Sequence, residues 1–489
     1  MSTKYYRAIL LIASATLLSA FYITCLKDVF FFDDPFISFK FAKNLIDGNG
    51  LVFNRGEPVY GTTAPLFAAI LAFVGFISKL PVHKIAPPVN ILLAVAVLLL
   101  LYSFFYRKTQ KNNFSFFITI FFGFIFFTAS ENIEPIYSGM ESCLTIFLLM
   151  LFLSAKKVMI KNLFLFLLFF TRFDVGVVVV FSMIALDFFG SFFKNDKLAM
   201  RKFYLNCFYL FLLFLLVLVA NYALFKEFIP NTIAAKAMIH KGTSFENPLW
   251  QRFIRIVRCD FTLPAAIIFW IILITRIFFD AKKKKPQQLY IMFFLAYAFV
   301  MLFFIGRHNS WYFPVMSFLL LFNACDFTAE RYISICARAD CKANVKRTII
   351  LVVCFVLAVS IYQGIKFYHL MLKDADKIWE TDLYKIAKSL PGESKVFCGD
   401  IGIIGYFSDA YIYDYFGLVT RRAIPFNKEK IFYKDGPNIS YFKVLQEIAK
   451  ENPQYIVLRQ IYPFTPYLLK ELSKNYQISR VGEEYLLKK

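Results

Sequence analysis

Between Phe203 and Phe225 the sequence reads FYLNCFYLFLLFLLVLVANYALF, with no charged side chain anywhere in the run. About 20 apolar residues let a helix cross the hydrocarbon core of a bilayer. Inside lipid only helices and closed barrels satisfy their own backbone groups. Similar runs recur at Tyr6–Leu26, Ile85–Tyr106, Phe114–Ala129, Thr262–Phe279, Leu289–Ile305, Trp311–Phe327 and Thr348–Gly364. The chain therefore reads as a polytopic α-helical membrane protein whose surroundings are membrane lipids. Its net charge of +22 does not call for nucleic acid. Lys and Arg collect in the cytoplasmic loops of such proteins, and the run Lys282–Lys285 lies between two spans.

The same rule orders the chain. Tyr6–Leu26 is too long for a signal-peptide core and lacks a small-residue cleavage site, so it reads as a retained span with Lys4 and Arg7 on the inner side. The first outer loop, residues 30–84, follows. The apolar stretch Ala64–Leu80 within it reads as a helix lying in the outer interface, because a crossing there would put the basic segment Arg107–Asn113 outside. Ser130–Ser142 then becomes an outer loop. Residues 162–190 are interrupted by Thr171-Arg172-Phe173-Asp174 and read as two short helices with those residues at the outer apex, since a single helix would leave Arg and Asp deep in lipid. The result is about eleven spans over residues 1–365 and an outward C-terminal domain, residues 366–489. In that domain Ser394–Cys398, Tyr411–Tyr415 and Tyr455–Leu458 read as strands and Tyr441–Glu451 as a helix, which makes it α/β. The nine cysteines form no CxxC pair; a bridge between Cys259 and Cys398 is the one pairing to consider.

Under this topology Asp33, Asp34, Lys40, Glu57, Tyr60, Glu134, Glu141, Arg172, Asp174, Lys236, Arg307 and His308 all face outward, from several separate loops. Two adjacent carboxylates in a partly dehydrated pocket raise one another's pKa, which suits a general base. Arg and Lys suit a departing phosphate. An acidic pair at a span end can also be a solvated helix terminus, Arg172 with Asp174 a structural ion pair, and Arg307 with His308 a span end. Their shared face favours chemistry.

The run DDPFISFKFAKNLIDGNGLVFNRGEPVYGTTAPLFAAIL, with SGMES at Ser138–Ser142, TRFD at Thr171–Asp174, PNTIAAKA at Pro230–Ala237 and GDIGIIGYFSDAYIYDYFGL at Gly399–Leu418, resembles the GT-C glycosyltransferases. Within them it is similar to the group of the mycobacterial terminal β-(1→2)-arabinofuranosyltransferase. The resemblance implies a GT-C fold topped by a periplasmic domain and an inverting transfer of a monosaccharide from a polyprenyl-phosphate donor to a cell-envelope glycan or glycolipid. It implies a base at Asp33 or Asp34, with Asp33 the first choice, and Arg172, Lys236 and Arg307 toward the donor phosphate. Lys40, Glu57, Tyr60, Glu141, Asp174 and His308 are the remaining candidates for donor or acceptor binding. The sequence departs from the group at Thr62-Thr63-Ala64 and Phe173, which bears on the sugar and acceptor. Some members use a divalent cation, to which Asp34 could contribute, but no dense carboxylate cluster is present and no metal is assigned.

The expectation is thus a multi-pass enzyme of a bacterial inner membrane with its active site toward the periplasm. The alternatives are a transporter or flippase of lipid-linked sugars, for which intramembrane charges and internal repeats would speak, and a glycan polymerase or ligase using lipid-diphosphate donors.

Overall fold

A computed structural model describes residues 3–22, 29, 32–192, 197–240, 247–258, 263–282, 289–305, 309–336, 362, 365, 376–423, 439–460 and 465–489. The first span begins as α1 (Thr3–Phe21). In the first loop, α2 (Pro35–Ile46) starts on Pro35, whose missing N–H costs nothing in a first turn, and buries Phe36, Phe39 and Phe41. Helix α3 (Pro65–Ser78) is about 21 Å long at 1.5 Å per residue. It is too short to cross the bilayer core, and Phe73, Phe76 and Ile77 line an exposed face.

Next come α4 (Val82–Thr109), α5 (Asn112–Thr128), α6 (Ser130–Tyr137) and α7 (Ser142–Ser154). Helix α6 corrects the reading of Ser130–Ser142 as a plain loop. The Asn132 carboxamide, donating to Phe126 O and exchanging hydrogen bonds with Ser317, fixes a helical turn there. Helices α8 (Val158–Phe169) and α9 (Phe173–Phe192) are separate, as the TRFD interruption predicts, but only α8 is short; α9 has 20 residues. The Phe170 carbonyl at the break accepts the Leu66 amide from the start of α3. The remaining helices of the bundle are α10 (Lys197–Phe225), α11 (Asn231–His240), α12 (Leu249–Arg258), α13 (Leu263–Lys282), α14 (Leu289–Phe303) and α15 (Phe313–Cys336). Among the described residues, Val82–Thr109, Phe173–Ser191, Met200–Phe225 and Ser310–Ser334 are long and apolar enough to cross a membrane. The expected span Thr348–Gly364 lies outside the described residues except for Tyr362.

The C-terminal domain is a five-stranded mixed sheet with order β2-β1-β3-β5-β4. Strand β1 (Lys395–Cys398) runs parallel to β2 (Tyr411–Asp414) and β3 (Tyr455–Arg459). The hairpin of β4 (Gln477–Val481) and β5 (Glu484–Lys488) adds antiparallel to β3. Helices α16 (Asp382–Ser389), α17 (Gly402–Phe407), α18 (Ile439–Glu451) and α19 (Thr465–Leu472) complete it. Helix α17 is the crossover that parallel β1 and β2 require. The three strands read from sequence are β1 to β3; the C-terminal hairpin was not read, because its faces are half exposed and carry little alternation. Cys398 is a free buried thiol and forms no bridge; Cys259 lies outside the described residues.

Far from the first loop, an ionic cluster ties four helices. The buried Arg276 guanidinium pairs with Asp326 (2.9 Å), Glu330 (3.3 Å) and Asp280 (3.5 Å). Lys108 binds Asp326 and Glu330, and the Tyr290 hydroxyl donates to Asp326. Lys108 lies 26 residues along α4 from Val82, about 39 Å at the helical rise, so this cluster marks the opposite end of the bundle.

Candidate active site

A recess of about 920 Å³ opens where the first loop, α9, α12, α14 and the sheet domain meet. Its walls are of two kinds. Val177, Val178 and Phe181 of α9, with Ala296, Phe299, Val300 and Phe303 of α14 and Phe304, form an apolar trough. Asp34, Ser38, Thr62, Thr63, Glu141, Arg172, Asp174, Thr232, Arg252 and Asn309 form a polar mouth, with Trp311, Tyr312 and Leu418 beside it.

Each polar group is placed by local structure. Asp34 is the residue before α2, half-buried, and its carboxylate makes no hydrogen bond among the described residues. Ser38, one turn on, lies 3.2 Å from the Thr62 hydroxyl. Glu141 reaches the recess because the SGMES turn is drawn tightly against α4. Asn90 donates to Ile136 O and Met140 O (2.7 and 2.6 Å), and Gly139 has φ +89° with room for no Cβ against Ala86. Arg172, at the α8–α9 break, is almost fully buried. Its guanidinium donates to both oxygens of Asp174 (3.0 and 2.7 Å), to Trp311 O (2.7 Å) and to Tyr297 Oη (3.2 Å). It stands 3.8 Å from Glu141 and lies over the Tyr312 ring. Arg172 and Asp174 thus occupy each other, as a bidentate pair should.

Arg252 is the cation that sequence reasoning missed. Helix α12 is strongly amphipathic: Leu249, Trp250 and Phe253 are exposed, while Arg252 and Ile256 point inward. The guanidinium donates to Asn247 O (2.6 Å) and Leu302 O (3.2 Å), next to the trough residue Phe303. The sequence offers no clear signal for it, because the apolar stripe of LWQRFIRIVR is the exposed face of α12 and Arg252 lies off that stripe.

Asp33 faces elsewhere. Its Oδ2 and Oδ1 accept the backbone amides of Gly402 and Ile403, each at 2.6 Å, at the start of α17. Desolvation by burial, reinforced by the Asp400 charge, pushes its carboxyl up to about 7 against the pull of those two amides. Three other predicted residues, Lys40, Glu57 and Tyr60, are absent from the cavity wall, and of these Glu57 bonds across the seam to the sheet domain. Lys40 is buried, and burial next to Lys43 pushes its ammonium down to about 8. Glu57 accepts from Asn54 (3.3 Å) and the Tyr411 hydroxyl (2.8 Å). Tyr60 stacks on Phe225 with ring centroids 4.4 Å apart, and its amide donates to Glu227. Lys236 belongs to α11, but its side chain, like Arg307 and His308, is outside the described residues. Among the described residues no three His, Cys, Asp or Glu side chains are grouped to hold a metal ion.

The chain superposes along its whole length on two solved structures of one protein. ArnT from Cupriavidus metallidurans bound to undecaprenyl phosphate matches with a TM-score of 0.59 at 11% identity, covering 100% of this chain and 98% of that one. ArnT from the same organism in the apo state matches with a TM-score of 0.56 at 13% identity, covering 99% and 98%. The chain has the GT-C fold. Within that fold, residues 377–486, the sheet domain, match a domain of unknown function, DUF8728. No curated protein is matched by the sequence. These likenesses support the GT-C fold and do not reach the narrower group of the mycobacterial arabinofuranosyltransferase.

Proposed function

We propose that this protein is an inverting glycosyltransferase that moves a monosaccharide from a polyprenyl-phosphate donor to a cell-envelope glycan or glycolipid on the periplasmic face of a bacterial inner membrane. One observation carries the reading: a single recess joins an apolar trough to a polar mouth that holds an unengaged carboxylate and two guanidinium groups. The trough suits a polyprenyl chain and the mouth suits the sugar phosphate. ArnT, which shares the fold, was solved with undecaprenyl phosphate. The first-loop resemblance makes an arabinofuranosyl donor the first sugar to try.

In this reading Asp34 takes the proton from the acceptor hydroxyl as its oxygen attacks the anomeric carbon, and the bond from that carbon to phosphate breaks with inversion. The leaving phosphate needs no proton, only charge to hold it. Arg252, which also lines the mouth, is the cation assigned to this role, and Arg172 lines the same mouth holding Asp174. Arg172, Asp174 and Glu141 act as a rigid charged wall. Asp33, the first choice from sequence, gives way to Asp34 because both of its oxygens already accept amides.

The reading is tested with purified protein, a panel of labelled polyprenyl-phosphate sugars and an envelope extract as acceptor. Transfer from one donor, lowered by about 10²- to 10⁴-fold in Asp34→Asn, supports it. Undiminished transfer by Asp34→Asn removes Asp34 as the base, and no transfer from any donor by folded wild-type protein removes the activity.

A further inference from the structure

We propose that Asp33 is a positioning residue: gripped by the amides of Gly402 and Ile403, it makes the sheet domain the element that sets the aim of Asp34. The proposal rests on the reading of Asp34 as the base and gives the sheet domain a part in that chemistry.

The sheet domain touches the first loop at several points. Lys43 donates to Tyr406 O (3.3 Å) and pairs with Asp409 (3.4 Å), His83 Nδ1 lies 3.1 Å from the Tyr406 hydroxyl, and Asn54 bonds to Ile412. All of these hold the far end of α2 or the segments after it. Phe36, beside the wall residue Ile37, also packs on Tyr406 and Phe407. The Asp33 contact, however, is the one that adjoins Asp34 itself, and it precedes by one turn the wall residues Ile37 and Ser38. Both carboxylate oxygens are held, so the side chain cannot swing, and the Asp33 carbonyl is itself the acceptor for the Phe36 amide that starts α2. The fit is tight: a Cβ on Gly402 would sit 2.1 Å from Asp33 O and 2.8 Å from Oδ2. A base must be held within a fraction of an ångström of its proton, and a misplacement of about 1 Å can cost about 10²-fold in rate.

The test uses the full-length protein in nanodiscs with three variants: Asp33→Asn, which loses one acceptor, Asp33→Ala, which loses both, and Gly402→Ala, which disturbs the grip while keeping both carboxylates. Hydrogen–deuterium exchange of the peptide spanning residues 399–407 reports the grip directly. The expected result is exchange faster by about tenfold in Asp33→Ala and also faster in Gly402→Ala. Unchanged exchange in both overturns the proposal. In the transfer assay the expected result is a kcat reduced about ten- to a hundredfold in Asp33→Ala and Gly402→Ala with the donor KM retained, and Asp33→Asn more active than Asp34→Asn. Asp33→Asn as inactive as Asp34→Asn beside a fully active Gly402→Ala overturns it, because Asp33 would then act chemically. Should the wild-type protein transfer from no donor, the base assignment and the positioning proposal fall with the activity, while the exchange result still tells whether Asp33 grips the domain.

Discussion

Asn54 and Ile412 are bonded to each other twice, Nδ2 donating to the Ile412 carbonyl at 2.9 Å and Oδ1 accepting its amide at 3.0 Å. A side chain of the first loop thereby plays the part of a neighbouring strand for β2, which lies at the edge of the sheet. Exposed strand edges invite unwanted pairing, and natural proteins cover them.

Asn54→Ala should uncouple loop and domain, since it leaves two buried backbone groups unmet at about 1–3 kcal/mol each. Thermal unfolding in detergent should start earlier than in wild type, and limited proteolysis should cut first within residues 399–414. Unaltered melting and proteolysis would mean that the pair bears no load.

Arg252→Ala should weaken binding of undecaprenyl phosphate by about ten- to a hundredfold, the loss expected for about 1.5–3 kcal/mol of charge-assisted hydrogen bonding. Arg252→Lys should recover part of it, as a point charge without the fork. Native mass spectrometry of the lipid-bound protein checks both. Equal binding by wild type and Arg252→Ala would move the phosphate away from α12.

Arg172→Ala should act on stability first. It strips Asp174 of its bidentate partner inside the protein, a change that costs about 3–5 kcal/mol. Removing Asp174 as well should cost less than removing Arg172 alone, because no carboxylate is then left facing an empty place. A double variant no more stable than Arg172→Ala would show that Tyr297 and Glu141 carry the wall without the pair.

The sheet domain should lose stability as the pH rises. Burial pushes the Asp33 and Asp414 carboxyls up to about 7, and the Glu484 carboxyl up to about 8 with help from the Asp400 charge. A group whose pKa is raised by folding stabilises the fold fully below its unfolded value, near 4, and loses that contribution as pH rises through the folded value. The melting temperature should therefore fall between about pH 4 and pH 8, and Asp414→Asn should flatten part of the decline. A melting temperature that climbs through this window would contradict it.

Much of the fold is legible in the sequence. The TRFD interruption forced a helix break because an arginine and an aspartate cannot lie singly in lipid, and the break stands between α8 and α9. The apolar stretch Ala64–Leu80 is found as a 14-residue helix, α3, short as the sequence predicts. Spacing could not tell which of two adjacent aspartates faces a cavity. Asp33 and Asp34 differ only in the partner each meets, and the amides that claim Asp33 lie 369 and 370 residues away. Polarity alone could not tell that Lys40, Glu57 and Tyr60 lie off the cavity wall, Glu57 meeting Tyr411 and Tyr60 stacking on Phe225. Arg252 was passed over because a basic residue in a short amphipathic helix resembles an ordinary interfacial anchor.

The cluster around Arg276 also constrains how the protein can be made. Glu330 follows Arg276 by 54 residues, so at about 5–20 residues per second the ribosome takes roughly 3–11 s to supply it. During that interval the Arg276 guanidinium lacks its acidic partners on α15. Asp280, one helical turn later at 3.5 Å from the guanidinium, is the partner delivered at once. Within α13 the guanidinium therefore has a counter-charge of its own before Asp326 and Glu330 of α15 are made.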